Sequence, residues 1–133
     1  MNDRTLLELA ARAAGIPDAL YLDCVAQDMY HPRDGEAGIE VNHRDTRWSC
    51  LAIDGVWNPL TDDGDALRLA VRLRMEIDHN HPADERAWVS VRAQGERTCA
   101  VEEFDDESLH AAATRMAITR AAAEIGKSMG GGE

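Results

Sequence analysis

Apolar residues recur at three- and four-residue intervals in three segments of the chain, and this spacing predicts three amphipathic helices. The first helix covers about residues 3–14, where Asp3 is one candidate cap and Thr5 with Glu8 forms an alternative capping box. Gly15 follows the last apolar position, so we expect the helix to end there.

The second helix follows a turn at Asn58-Pro59, because proline disfavours helical backbone at the residue before it. Thr61 is its expected cap, and the acidic residues that come next lie where the helix dipole favours negative charge. These are Asp62, Asp63 and Asp65. One side of the helix carries an apolar stripe that is expected to pack on a sheet, formed by Ala66, Leu69, Ala70 and Leu73.

The third helix is expected to start after Asp105 or Asp106 and to end near Gly126 and Lys127. Between the helices, short apolar or alternating runs predict strands at residues 20–25, 39–41, 47–53, 75–79, 87–92 and 98–102. The last three of these runs are expected to form an antiparallel meander.

This order of elements predicts an α+β fold, a single α/β/α layered sandwich in which a mostly antiparallel sheet is covered by helices. The chain has 133 residues, the length of one domain, and we expect that domain to span residues 1–129. Residues 130–133 (GGGE) are interpreted as a flexible tail.

The central segment, residues 57–71 (WNPLTDDGDALRLAV), resembles the signature of small phage and prophage proteins of the phage ABA sandwich domain family. Residues 6–15 (LLELAARAAG) resemble the opening helix of that family, and residues 112–126 (AATRMAITRAAAEIG) resemble its closing helix. The resemblance implies a helix–sheet–helix layering in a phage-encoded protein. It carries over no functional residue.

The chain is strongly acidic, with 14 Lys and Arg against 25 Asp and Glu and a formal net charge of −11. Such a charge disfavours non-specific binding to nucleic acid, which depends on neutralising phosphates. The cysteines Cys24, Cys50 and Cys99 form no CxxC pair and are interpreted as buried, reduced thiols. With no segment apolar enough for a membrane span, we expect a cytoplasmic protein of a bacterial host.

Two groups of residues are candidates for binding. A pocket for a small anionic molecule would be lined by arginines beside an aromatic stacking platform, and the candidates are Arg44, Arg47, Trp48, Arg92 and Arg97. Core placement is nevertheless the preferred interpretation of the tryptophans, Trp48 included, and Trp57 is expected to pack beneath the Asn58-Pro59 turn. A surface for a basic partner would use the acidic cluster around the start of the last helix, formed by Glu102, Glu103, Asp105, Asp106 and Glu107. Helix capping is the competing explanation for these acids.

Catalytic and metal sites are not expected. The sequence lacks the Walker phosphate loop, the dinucleotide glycine fingerprint, the zinc deaminase signature and the serine elbow. His79 and His81 could offer two imidazoles on one face of a strand, but two ligands are too few for a metal site, and a polar loop is the preferred interpretation. We therefore predict no cofactor.

The predicted function is that of a non-enzymatic phage accessory protein that acts by binding and antagonises a host defence. Its partner would be a host protein or a small anionic molecule, and its alanine-rich helix faces suggest a homo-oligomer. Two alternatives stay open: a sponge for a signalling nucleotide, and an acidic nucleic-acid mimic that binds a protein partner.

Overall fold

The computed structural model describes residues 1–16, 19–27, 30–41, 55–80, 86–93 and 99–129. Within these ranges the chain forms an α+β fold, as predicted, with three α-helices, one 3-10 turn and six strands. In chain order they are α1 (Asp3–Ala14), β1 (Tyr21–Leu22), β2 (Gly38–Glu40), β3 (Val56–Trp57), α2 (Asp63–Arg72), β4 (Met75–His79), β5 (Ala87–Ala93), β6 (Cys99–Phe104), the 3-10 turn (Glu107–Leu109) and α3 (His110–Met129).

The strands pair in antiparallel fashion, as expected, but those in the described ranges form two three-stranded sheets. The first sheet has the order β1-β2-β3 and the second has the order β4-β5-β6, which is the predicted meander. The strand expected over residues 20–25 is shorter than predicted, because the chain bends at Asp23 and Cys24. The strand expected over residues 47–53 and the tail at 130–133 lie outside the described residues.

Helix α2 buries the stripe that its sequence predicts. Ala66, Leu69 and Ala70 are buried and Leu73 is partly buried, all within the main hydrophobic core. Helix α3 packs on β5 and β6, where Val89 and Val91 contribute fully buried side chains to the same core. The second sheet and α2 therefore share α3 as a packing partner.

Helices α1 and α3 pack closely against each other through small side chains. Their buried alanines, all in the main core, are Ala10, Ala11, Ala14, Ala117, Ala121 and Ala122. The alanine-rich faces that suggested an oligomer are thus occupied within one copy of the chain. The two helices also approach closely at Gly126, where a Cβ atom would lie 1.9 Å from the carbonyl oxygen of Leu9.

The helix boundaries are close to those predicted, but the capping residues differ. Asn2 caps α1 by accepting from the Thr5 N–H, and Asp62, not Thr61, caps α2 by accepting from the Asp65 N–H. Helix α1 ends at Gly15 with φ 91°, as expected. Helix α3 continues past the predicted end to Met129.

Two expectations about individual side chains were wrong. Cys24 and Cys99 are exposed rather than buried, because Cys24 lies in a bend and Cys99 begins β6 on the face turned away from the core. Trp57 is fully buried, as predicted, whereas Trp88 is partly exposed on β5. Among the described residues, no helix has both the length and the apolar character needed to cross a membrane.

Candidate ligand-binding cavity

An open cavity of about 520 Å³ lies between α2, β4, the 3-10 turn and the first three turns of α3. We call it the α2–α3 cavity. Its wall is mainly apolar, with Ala66 and Leu67 from α2, Ile77 from β4, and Ala111, Thr114 and Ile118 from α3. The α3 residues line it because positions three and four apart share one helix face. Ile77 lines it from β4, the strand that α2 packs against.

The polar lining of the cavity consists of five titratable side chains: Asp63, His79, Glu107, His110 and Arg115. One group of these joins α2 to α3. Arg115 Nη1 donates to Asp63 at 2.6 Å, and Arg115 Nε donates to the Leu60 carbonyl at 2.9 Å. Because Arg115 already holds a carboxylate and a carbonyl, it offers an incoming anion less than an unpaired guanidinium would.

The other group is a hydrogen-bonded chain of three side chains. His79 Nδ1 lies 2.7 Å from His110 Nε2, and His110 Nδ1 lies 2.7 Å from Glu107 Oε1. Phe104 stacks on the His110 ring with centroids 4.5 Å apart and an interplanar angle of 22°. Glu107, one helical turn before His110, and Phe104 together fix the position of that ring.

The Glu107–His110–His79 chain was not predicted from the sequence. The sequence pattern placed His79 beside His81, whereas the partner of His79 is His110, 31 residues away. Only the packing of α3 on the second sheet brings them together. His81 lies outside the described residues, and within the described ranges no group of three or more His, Cys, Asp or Glu is arranged to hold a metal ion.

Of the predicted anion-binding residues, only Arg92 is described. It is exposed on β5, opposite Glu76 and Cys99 in the neighbouring strands, and does not line the α2–α3 cavity. Residues Arg44, Arg47, Trp48 and Arg97 lie outside the described residues. Among the described residues, the arginine that lines the cavity is Arg115, which was not one of the predicted binding residues.

The acidic cluster at residues 102–107 is largely engaged in contacts within the chain. Glu102 pairs with Arg120, and Glu103 pairs with Arg86 at 2.6 Å. Asp106 caps the 3-10 turn by accepting from the Ser108 N–H, and Asp105 is exposed. Glu107 of this cluster and Asp63 of α2 both line the α2–α3 cavity, so the two acidic segments meet there.

The start of α2 is held by a buried polar network. Asp65 is fully buried and accepts from the Asn58 N–H at 2.8 Å and from Arg68 at 2.5 Å, with Arg33 Nη1 at 3.2 Å. Burial raises the pKa of Asp65, and these three partners only partly oppose the rise. The network fixes the first turn of α2, which carries Asp63 and Ala66 into the cavity wall.

Compared with protein families, with curated proteins and with solved structures, the chain matches none. The geometry of the α2–α3 cavity is therefore the basis for assigning a function.

Proposed function

We propose that this chain is a binding protein whose ligand is a small molecule held in the α2–α3 cavity. The observation that carries the proposal is the cavity itself: about 520 Å³, walled by apolar side chains and bordered by a few convergent polar groups. Ligand sites in proteins typically have such a volume and such a composition.

The proposal keeps the non-enzymatic role that the sequence suggests. Among the described residues that line the cavity, Thr114 is the one that carries a hydroxyl, and its Oγ1 donates to the His110 carbonyl at 2.9 Å. The hydroxyl hydrogen is thus directed at the backbone and not at an imidazole that could remove it. Activation of a nucleophile requires that second contact.

Membership in the phage ABA sandwich domain family and a role as a phage accessory protein in the host cytoplasm belong to the same proposal. They rest on the similarity of residues 6–15, 57–71 and 112–126. Residues 6–14, 63–71 and 112–126 of these segments lie in α1, α2 and α3. Small-molecule capture would be one way for such a protein to antagonise a host defence. A signalling nucleotide is less well supported as the ligand, since Asp63 and Glu107 place two carboxylates beside the single Arg115.

The experiment is a titration with 2-naphthol, followed by backbone amide NMR shifts. We expect saturable shifts that are largest at Ala66, Ile77 and Ile118, which line the cavity. Ala111→Phe adds a ring to the cavity wall and should weaken binding by roughly tenfold or more, a loss of about 1.4 kcal/mol. The matched control is Ala112→Phe, because Ala112 is also exposed but does not line the cavity. Shifts scattered over the surface, or equal losses in both variants, would contradict the proposal.

A further inference from the structure

All three members of the Glu107–His110–His79 chain line the α2–α3 cavity. Glu107 is at one end, with a side chain 82% exposed, and His110 is the middle member, 28% exposed. His79, the other terminal member, is also exposed. Its Nδ1 is engaged by His110, so Nε2 is the ring nitrogen left to meet a ligand in the cavity that His79 lines.

The hydrogen-bond directions along this chain follow from the charge of Glu107. An ionised carboxylate only accepts, so His110 must carry its hydrogen on Nδ1 and donate it to Glu107. A neutral imidazole has one hydrogen, and His110 Nε2 is then an acceptor. In this neutral form of both rings, His79 donates from Nδ1 in the 2.7 Å contact, which leaves His79 Nε2 with a lone pair.

The charges that face His79 across the cavity come from each element around it. Helix α2 contributes Asp63, the 3-10 turn contributes Glu107, and α3 contributes Arg115 together with His110. Among the described residues that line the cavity, two carboxylates accompany one guanidinium, on a chain whose net charge is −11. This field disfavours an anionic ligand and favours a neutral or cationic one.

We infer that the α2–α3 cavity selects ligands with an apolar body and one hydrogen-bond donor, a hydroxyl or an ammonium group, which donates to His79 Nε2. This inference rests on the proposed function and specifies its ligand class. A small anionic ligand was expected from the sequence. A ligand with a hydrogen-bond donor fits the cavity better, because His79 Nε2 can accept its hydrogen bond and the carboxylates that line the cavity disfavour an anion.

A series of four compounds with the same naphthalene body tests the inference at pH 7.5. The donors are 2-naphthol and 2-naphthylmethylamine, the compound without a donor is 2-methoxynaphthalene, and the anion is 2-naphthoate. We expect the two donors to bind roughly five- to tenfold more tightly than the other two, the effect of one added hydrogen bond.

The variant His79→Phe keeps a ring in place but removes the acceptor nitrogen. It should lose the preference for donors, so that 2-naphthol and 2-methoxynaphthalene bind to this variant with similar affinity. Glu107→Gln should reduce the preference, because an amide can accept from or donate to His110 and no longer fixes its tautomer. Its matched control is Glu103→Gln, which removes the same charge from a residue paired with Arg86. That control should bind all four compounds as the wild type does.

The side-chain nitrogen spectrum of the wild type gives a test that needs no variant. His79 and His110 should both show the tautomer with hydrogen on Nδ1. Hydrogen on Nε2 of His79, or equal or tighter binding of 2-naphthoate, overturns the inference and leaves cavity binding intact. If none of the four compounds shifts the cavity residues, both the inference and the proposed function fail.

Discussion

Asp65 is the residue on which the start of α2 depends. From the sequence it was assigned, together with Asp62 and Asp63, to the start of the helix, where the helix dipole favours negative charge. In the fold it is fully buried and holds a backbone N–H and two arginines. The three neighbouring acids thus differ in role: Asp62 caps the helix, Asp63 binds Arg115, and Asp65 joins α2 to the preceding loop.

Asp65→Ala should lower the free energy of unfolding by about 3 kcal/mol, the lower end of the range for breaking a buried ion pair. The value is at the lower end because Arg68 is partly exposed and Arg33 keeps its contact with Glu36 at 2.5 Å. Urea denaturation at neutral pH measures it. The matched control is Asp63→Ala, which breaks a pair whose carboxylate is 78% exposed and should cost no more than about 1 kcal/mol. Equal losses of stability for the two variants would show that Asp65 contributes no more to the fold than Asp63 does.

At this scale, local contacts could be predicted and distant ones could not. A turn was expected at Asn58-Pro59, and there Asn58 Oδ1 accepts from the Leu60 N–H at 3.0 Å, two residues away. The pairing of His79 with His110 and of Asp65 with Arg33 spans about 30 residues in each case. No spacing rule reports such contacts, because they depend on how whole elements pack.

Gly126 allows one close approach between α1 and α3. The sequence suggested Gly126 as a helix end, because glycine has a low helix propensity. The helix instead continues through it, since the missing side chain lets the Leu9 carbonyl approach where a Cβ atom would otherwise lie. Arg12 Nη1 also reaches the Gly126 carbonyl, at 3.4 Å. Gly126 is thus a packing residue.

Gly126→Ala should destabilise the fold by about 2 kcal/mol, because forcing a methyl group against backbone costs more than the gain of about 1 kcal/mol in helix propensity. Thermal and urea unfolding measure the change. Gly64→Ala in α2 is the control: its added Cβ would meet only side-chain ends of Arg68 and Asp62, at 3.1 Å or more. It should change stability by no more than about 1 kcal/mol. Stabilisation by Gly126→Ala would show that the helices are not in close contact there.

The elements differ in how well the sequence predicts them, and the reason is their length. The three helices run for 10 to 20 residues, so the apolar period repeats several times and overrides local irregularities. Strands β1 and β3 have two residues each and display no period at all. Strands β4 to β6 have five to seven residues, enough for apolar and polar positions to alternate. The ends of these three strands were predicted to within about two residues.

Over the whole molecule, several of the acidic side chains pair with basic side chains. Acidic side chains of α2, β6 and the 3-10 turn each hold an arginine or histidine: Asp63, Asp65, Glu102, Glu103 and Glu107. The α+β fold could be predicted from the pattern of apolar and polar residues. The partners of the acidic side chains could not. Net charge describes solubility and long-range attraction, whereas the pairings depend on packing.

The Asp65 carboxyl should make the free energy of unfolding depend on pH. Burial raises the pKa of Asp65 in the folded chain above its unfolded value of about 3.8. A carboxyl with a raised folded-state pKa stabilises the fold below the unfolded pKa, and this contribution is lost as pH rises through the folded value. The stabilising contribution of Asp65 should therefore decrease as pH rises above about 3.8.

The Asp65→Asn variant isolates this contribution, because it keeps the shape of the side chain and cannot ionise. Urea unfolding of both proteins at fixed ionic strength, between about pH 4 and pH 7, gives the difference in free energy of unfolding. We expect the wild type to lose stability relative to the variant as pH rises across that window. A wild type that gains relative stability instead would mean that Arg33, Arg68 and the Asn58 N–H outweigh burial, and that the Asp65 carboxylate is ionised at lower pH in the fold than in the unfolded chain.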